Sequence, residues 1–209
     1  MRKIQSFFRT YFADELFVHN RTAAYRRNKV IIRVVLIGSV VCMFMLIAAG
    51  FFSQDYERMR PLYIAFAAFY CVLLTLTFSL KDCVVYLLTY LVSFMFVGLC
   101  IYNSAFLWPE DVCVLILAEV FIFPMLFLDK SWRVTLVTVL TAAVYLIFVG
   151  FYKDPVVMSD EIVNVVGFTA LGCIVGTFTR HAQLENFDST DKLRISREQY
   201  RLAVRNNGG

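Results

Sequence analysis

Six apolar runs, over residues 30–53, 61–80, 83–106, 112–128, 134–152 and 162–179, govern what this chain can fold into. Each is about long enough to cross a hydrocarbon core of roughly 30 Å as a helix. Lipid offers no hydrogen-bond partners, so a backbone that enters it must satisfy its own N–H and C=O groups, and a helix does this within one segment. The expected fold class is an all-α integral membrane protein with six transmembrane helices. Composition agrees, with 60% hydrophobic and 17% charged residues among 209, against about a quarter charged in soluble chains. Only Lys81 and Asp82 separate the second run from the third, a spacing that permits a tight helical hairpin.

Orientation follows from the basic residues, because loops rich in lysine and arginine stay in the cytoplasm. With the N-terminus inside, all 20 lysines and arginines except Arg58, Arg60 and Lys153 fall on the cytoplasmic side. Both termini are therefore expected there, in a plasma or bacterial inner membrane. The outer loops, 54–60, 107–111 and 153–161, are too short to fold into a ligand-binding domain, so a ligand must bind among the spans, at their outer mouths or within the lipid. Trp108, Trp132, Tyr56, Tyr63 and Tyr152 fall near expected interfaces, where amphipathic rings are favoured.

Residues 1–29 are basic and polar, yet Ile4, Phe7, Phe8, Tyr11 and Phe12 recur at helical spacing. That pattern describes an amphipathic helix lying on the membrane surface. The apolar run behind it is too long for a signal-peptide core, so the segment is expected to remain attached. The chain thus divides into a cytoplasmic segment (1–29), a six-helix membrane domain (30–180) and a cytoplasmic linker helix (181–209).

Glu119 is the clear intramembrane carboxylate, about 12 Å inside the outer end of the fourth run at 1.5 Å per residue. An ionised carboxylate at that depth is costly, so it should face the bundle and find a partner or a proton. Five residues on, Pro124 lacks an N–H and leaves the Val120 carbonyl without its helical donor, which predicts a kink beside Glu119. Candidate donors to Glu119 are Tyr102, Asn103, Thr141, Tyr145 and Asn164. Glu119, Pro124, Asn164 and Tyr145 form the candidate sensing or ligand set, with a packing role for Glu119 as the alternative. Polar stripes of Tyr86, Thr89, Tyr90 and Ser93 in the third run and of Thr135, Thr138 and Thr141 in the fifth predict interhelical hydrogen bonds. Arg33 sits shallowly enough in the first run to snorkel to the headgroups.

The six cysteines form no C-x-x-C and have no histidine at ligand spacing, so neither a metal site nor a cofactor is expected. Cys100 and Cys113 flank one outer loop and could pair in an oxidising compartment. No Walker loop, H-E-x-x-H, G-x-S-x-G or kinase signature occurs, so no catalytic residue is assigned. Nothing in the chain points to nucleic acid. Membrane lipid is the surrounding partner, and the ligand is not specified.

Run 162–179 leads without a break in apolar-to-helical character into a basic tail. Gly172 and Gly176 make a GxxxG, which lets another helix approach closely, either within the chain or across a dimer. Arg180, His181 and Leu184 mark the outlet of this span. Asp188, Ser189 and Thr190 all favour N-caps, which predicts a break and a helix restart there.

In the tail, R-E-Q-Y-R-L-A-V-R-N-N at 197–207 resembles the helix that leads into a PAS domain in bacterial signalling proteins, through Glu198, Tyr200, Arg201, Leu202 and Ala203. With six spans, minute outer loops and inside termini, the chain resembles the membrane-embedded sensory module ahead of PAS, GGDEF or kinase output domains, most often in diguanylate cyclases. The resemblance implies a sensory and signal-transmitting module that pairs as a homodimer through its last span and cytoplasmic helix, regulating cyclic di-GMP synthesis by an output domain. On this resemblance the sequence, which holds no GG[DE]EF loop and stops where that domain would begin, is expected to be the sensor half of a parent diguanylate cyclase. The alternative is a small secondary transporter, with two halves of three spans around Glu119.

Overall fold

The structure, a computed structural model, describes residues 15–207. The amphipathic helix expected over the first dozen residues lies outside them. The elements are α1 (Glu15–His19), α2 (Arg21–Ala49), α3 (Gln54–Ser79), α4 (Asp82–Tyr102) running on into a π-helical turn (Asn103–Leu107), α5 (Val114–Leu126), α6 (Ser131–Val149) and α7 (Pro155–Asn207). Among the described residues there is no strand. Five helices, all but α1 and α5, are long and apolar enough to cross a membrane. Each contains a stretch that is apolar on its outward face as well as on the face turned to the core, the pattern expected of a helix set in lipid. On α2, Ile32, Leu36 and Met43 are buried while Val30, Val34, Ile37 and Val41 are exposed.

The fourth apolar run differs from expectation. Its helix, α5, has 13 residues and rises only about 20 Å, short of a full crossing. Side chains from other helices take over its backbone at both ends. The Cys113 N–H donates to Glu161 Oε1 (3.1 Å), and the backbone of Leu128 is held on both sides by Asn28, whose Nδ2 donates to the Leu128 carbonyl (2.7 Å) and whose Oδ1 accepts from the Leu128 N–H (2.9 Å). Asn28 is buried. Beyond Leu126 the chain is extended, and these tertiary bonds stand in for the helical ones it gives up.

The tight hairpin that the Lys81-Asp82 spacing permits is not formed. Although only Leu80 and Lys81 join α3 to α4, the two helices barely touch, and α4 packs on α2 instead. Lys29 of α2 reaches the joint, donating to the Leu80 carbonyl (3.0 Å) and pairing with Asp82 (2.9 Å). Arg33, expected to snorkel, is also committed to α3. Its Nε donates to Thr77 Oγ1 (3.2 Å), Nη2 to the Thr77 carbonyl (2.9 Å), and its guanidinium lies over the Phe78 ring. A cation at a helix C-terminus meets the negative end of the dipole and the unpaired carbonyls of the last turn.

α5 makes its most extensive contact with α7, and the two run parallel, since Gly172 lies against Val120 and Phe121 while Gly176 lies against Pro124. A Cβ added at Gly172 would sit 2.8 Å from the Phe121 Cα, and one added at Gly176 would sit 2.6 Å from the Pro124 Cβ. The GxxxG is therefore occupied within the chain. Gly172 faces the Val120 carbonyl, the one that Pro124 deprives of its helical donor.

α7 begins earlier and ends later than the sixth apolar run. Pro155 occupies its first turn, where a missing N–H costs nothing, and Asp154 caps it by accepting from the Val156 N–H at Oδ1 (2.9 Å). The expected break at 188–190 is absent: α7 continues to Asn207. Asp188 pairs instead with Lys192 one turn on (2.7 Å), and Thr190 Oγ1 donates to the Asn186 carbonyl (2.8 Å). Capping side chains are thus used along the helix rather than to stop it. At 53 residues, α7 is about 80 Å long.

Apolar packing falls into three clusters. One holds α2, α3 and α4 together around Leu36, Tyr63, Tyr70 and Leu99, so Tyr63, expected at an interface, is fully buried. A second joins α4 to α7 around Ile116, Tyr145 and Val165. The third, around Phe17, Tyr25, Leu128 and Leu184, fixes α1 and the start of α2 where α7 leaves the bundle. We call that the tail end, and the opposite one, at Lys153, the far end.

Candidate functional site

Glu119, on α5, lines a narrow crevice between α2, α4 and α5, of about 100 Å3, with Ser39, Thr89 and Ser93 as polar wall and Phe96 and Phe123 among the apolar wall. Ser93 Oγ donates to Glu119 Oε1 (2.5 Å). The donor is therefore on the third-run polar stripe and not among the five residues proposed from sequence. Thr89, one turn earlier on α4, is buried and its Oγ1 has no hydrogen-bond partner. The crevice thus offers a carboxylate, three hydroxyls and an apolar surround. The other stripes behave differently. Tyr90 donates to the carboxylate of Asp129 in the α5–α6 connection, whereas Thr138 Oγ1 bonds the Val134 carbonyl of its own helix (2.8 Å). The Tyr86 side chain lies outside those described.

Four of the proposed Glu119 donors lie elsewhere. Tyr102 packs its ring on Phe106, Thr141 is buried on α6, and Asn103 lies in the π-helical turn. Tyr145 belongs to a second site that sequence reasoning did not assemble. Asn164 is half-buried on α7, and among the described residues no hydrogen bond joins it to Glu119.

The second site is at the far end. Lys153, in the α6–α7 loop, and Glu161, two turns into α7, form an ion pair with both side chains fully enclosed. Both groups make further hydrogen bonds. Lys153 Nζ also donates to the Asp111 carbonyl (2.5 Å), and Glu161 Oε1 accepts from the Tyr145 hydroxyl (2.5 Å) and from the Cys113 N–H. Tyr145 Oη in turn shares a hydrogen bond with Ser104 Oγ (2.8 Å). One carboxylate therefore ties the π-helical turn, the start of α5, the end of α6 and the start of α7 together. Burying two charges is tolerated where each is also hydrogen-bonded, as here. Cys100 and Cys113 are neighbours at this end with free thiols, the Cys113 Sγ donating to the Cys100 carbonyl (3.9 Å).

Sequence reading placed Lys153 and Glu161 in a solvated loop because the apolar run starts after them. The signal that would have moved them inside is Asp154-Pro155, an N-cap followed by a helix-initiating proline, which carries the helix back over Glu161 before the apolar residues begin. Neither the Lys153–Glu161 pairing nor the Asn28 clamp on Leu128 has a local sequence signal, since they join residues of separate helices.

At the tail end Arg180, almost fully buried, reaches back along α7 to α5. Its Nη1 donates to the Pro124 carbonyl (2.5 Å) and its Nη2 to Thr177 Oγ1 (3.0 Å). Arg27 Nη1 donates to the Leu126 carbonyl (3.0 Å), so two guanidinium groups and Asn28 meet the C-terminus of α5. Leu184 is buried in the third cluster, and His181 Nδ1 lies 3.5 Å from the Glu185 carboxylate. The outlet residues Arg180 and Leu184 thus grip α5, α1 and α2 at the point where α7 departs. Among the described residues no group of histidine, cysteine and carboxylate side chains is placed to hold a metal ion.

Comparison with known proteins gives no match: no family model, no curated protein and no solved structure corresponds to this chain.

Proposed function

We propose that this chain is a membrane-embedded sensory and signal-transmitting module of the bacterial inner membrane, with six membrane segments, both termini in the cytoplasm, and α7 as its output. The observation that supports this reading is the continuity of α7. One helix carries Glu161 of the enclosed far-end network, Gly172 and Gly176 against α5, Arg180 against Pro124, and then an exposed tail to Asn207. A displacement at the far end has an unbroken rod along which to reach an output domain such as a diguanylate cyclase. The short α5 completes a sixth segment in this reading, its backbone ends satisfied by protein rather than lipid.

Two copies are proposed to pair through the tail. The GxxxG is already spent on α5, but Leu193, Ile195 and Tyr200 are exposed on α7, and the homodimer then rests on the cytoplasmic helix. Stimulus reception is assigned to the cavities of the bundle, the Glu119 crevice being one.

The test is helical phase. One residue inserted between Ile195 and Ser196, beyond the last packed position, turns everything downstream by about 100°, while seven residues return it to within about 20° of the original phase. An output domain fused after Asn207 should be misregulated by the first insertion and largely spared by the second. Indifference to both would remove the sensory reading and favour a small secondary transporter, in which the tail carries no signal.

A further inference from the structure

At the far end the fold brings together two cysteines that the sensory reading leaves unused. Cys100, in the last turn of α4, is fully buried, and Cys113, the residue before α5, is half-buried. They are 13 positions apart in the chain, yet Cys113 Sγ lies 3.9 Å from the Cys100 carbonyl and the two thiols adjoin each other. Thiols that adjoin before oxidation meet the first requirement for a disulfide, whose geometry tolerates little backbone displacement.

The two differ in access. Cys113 lines a cavity of about 260 Å3 at the far end, together with Trp108, Asp111 and Leu115, whereas Cys100 has no exposed surface. Cys113 also stands at the N-terminus of the 13-residue α5, where the helix dipole favours the thiolate that attacks a disulfide. The carboxylate that meets its backbone, Glu161, is already paired with Lys153.

We infer that Cys100 and Cys113 form a reversible dithiol–disulfide site, with Cys113 as the thiol that meets the oxidant and Cys100 as the one that resolves it. The oxidant is a small organic disulfide entering through the cavity. Cys113, as thiolate, attacks one of its sulfurs, forming a mixed disulfide and releasing the first thiol. Cys100 then loses its proton, attacks the Cys113 sulfur and expels the second. Two S–H bonds are replaced by one S–S bond, and the two electrons and two protons leave on the two released thiols. Oxidation ties the end of α4 to the start of α5, and the Cys113 N–H touches Glu161 of α7, so the redox state reaches the output helix through one hydrogen bond. That consequence, and the placing of the far end outside the cytoplasm, where disulfides persist, rest on the sensory reading; the exchange chemistry does not.

The test uses the full chain in nanodiscs with Cys42, Cys71, Cys83 and Cys173 replaced by alanine. Folded protein is treated with bis(2-hydroxyethyl) disulfide, quenched in acid and unfolded, and its remaining thiols are counted by maleimide labelling and intact mass. The pair should lose both labelling sites without gaining an adduct, and dithiothreitol should restore both. Cys100→Ala should instead keep a mercaptoethanol adduct on Cys113, while Cys113→Ala should react about tenfold or more slowly, because Cys100 is enclosed. Adducts on both cysteines without an internal disulfide, a disulfide between two chains, or a pair that reacts only after unfolding overturns the inference, as do equal rates in the two single variants. Peptide mapping of the unsubstituted chain after the same treatment should find Cys100 linked to Cys113, so poor folding of a variant does not shield the inference. No output domain is involved: failure here leaves coupling through α7 standing, and phase-independent output leaves the exchange site standing.

Discussion

Lys153 and Glu161 meet as an ion pair from which solvent is excluded on both sides, although each stands in a stretch that reads as an exposed loop. The pair closes the α6–α7 turn and seats the first turns of α7 on α5 and α6. Removing one charge strands the other, at a cost of roughly 3–5 kcal/mol. Glu161→Gln should therefore lower the thermal unfolding midpoint in detergent sharply. Lys153→Met combined with Glu161→Gln should recover most of the loss, because the amide oxygen of glutamine still accepts from Tyr145 and Cys113 while no charge is left buried. A single variant as stable as the parent would show that water reaches the pair.

The two glycines of α7 that face α5 allow a direct comparison with one that does not. Gly176→Ala forces a methyl group onto Pro124, and Gly172→Ala forces one onto Phe121; each should destabilise by about 1–3 kcal/mol. Gly167 lies on the same helix with nothing within 4 Å of an added Cβ, so Gly167→Ala should be neutral or stabilising by up to about 1 kcal/mol, as usual for glycine in a helix. Equal effects at all three positions, by thermal or denaturant unfolding, would argue against close α5–α7 packing.

Asn28 holds both backbone groups of Leu128. Asn28→Leu keeps the volume similar but leaves a buried N–H and C=O unpaired, a loss of about 1–3 kcal/mol. Hydrogen exchange provides the local measurement: the Leu128 amide should exchange faster in the variant, while amides in the middle of α3 should be unchanged. Retained protection at Leu128 would mean that another group holds it.

Glu119 and Ser93 form the corresponding pair in the bundle interior. Glu119→Gln preserves an acceptor for the serine hydroxyl and should leave stability nearly unchanged, whereas Glu119→Leu orphans Ser93 Oγ and should cost about 1–3 kcal/mol. Adding Ser93→Ala to Glu119→Leu should recover part of that cost, a coupling that a double-mutant cycle reads directly. In a chain fused to an output domain, a changed response in Glu119→Gln with unchanged stability would separate a sensory role from packing.

The sequence by itself determined the helical class and the presence of helices long and apolar enough to cross a membrane, because apolar runs of about 20 residues leave lipid as the natural surround and helix as the conformation that satisfies the backbone there. It also marked Glu119 and Pro124, since a carboxylate and an imino acid inside an apolar run are anomalies visible without any neighbour. Tertiary structure decided what those anomalies touch. Ser93 reaches Glu119 because α4 lies beside α5, and Arg180 reaches Pro124 because Gly172 and Gly176 let α7 run parallel and close to it. It also decided where helices stop. α5 is shortened by Glu161 and Asn28, two side chains from distant segments that outcompete its own terminal hydrogen bonds, and α7 passes straight through a string of capping residues because their side chains find partners along the helix. A capping residue expresses a local preference of about 1 kcal/mol, and several such preferences yield together when continued helix and long-range hydrogen bonds offer more. Asp154-Pro155 marks the helix start that carries Glu161, but the pairing of Lys153 with Glu161 has no such mark: what makes a charge buried is the partner across the gap, and only the packing of α5, α6 and α7 brings that partner into place.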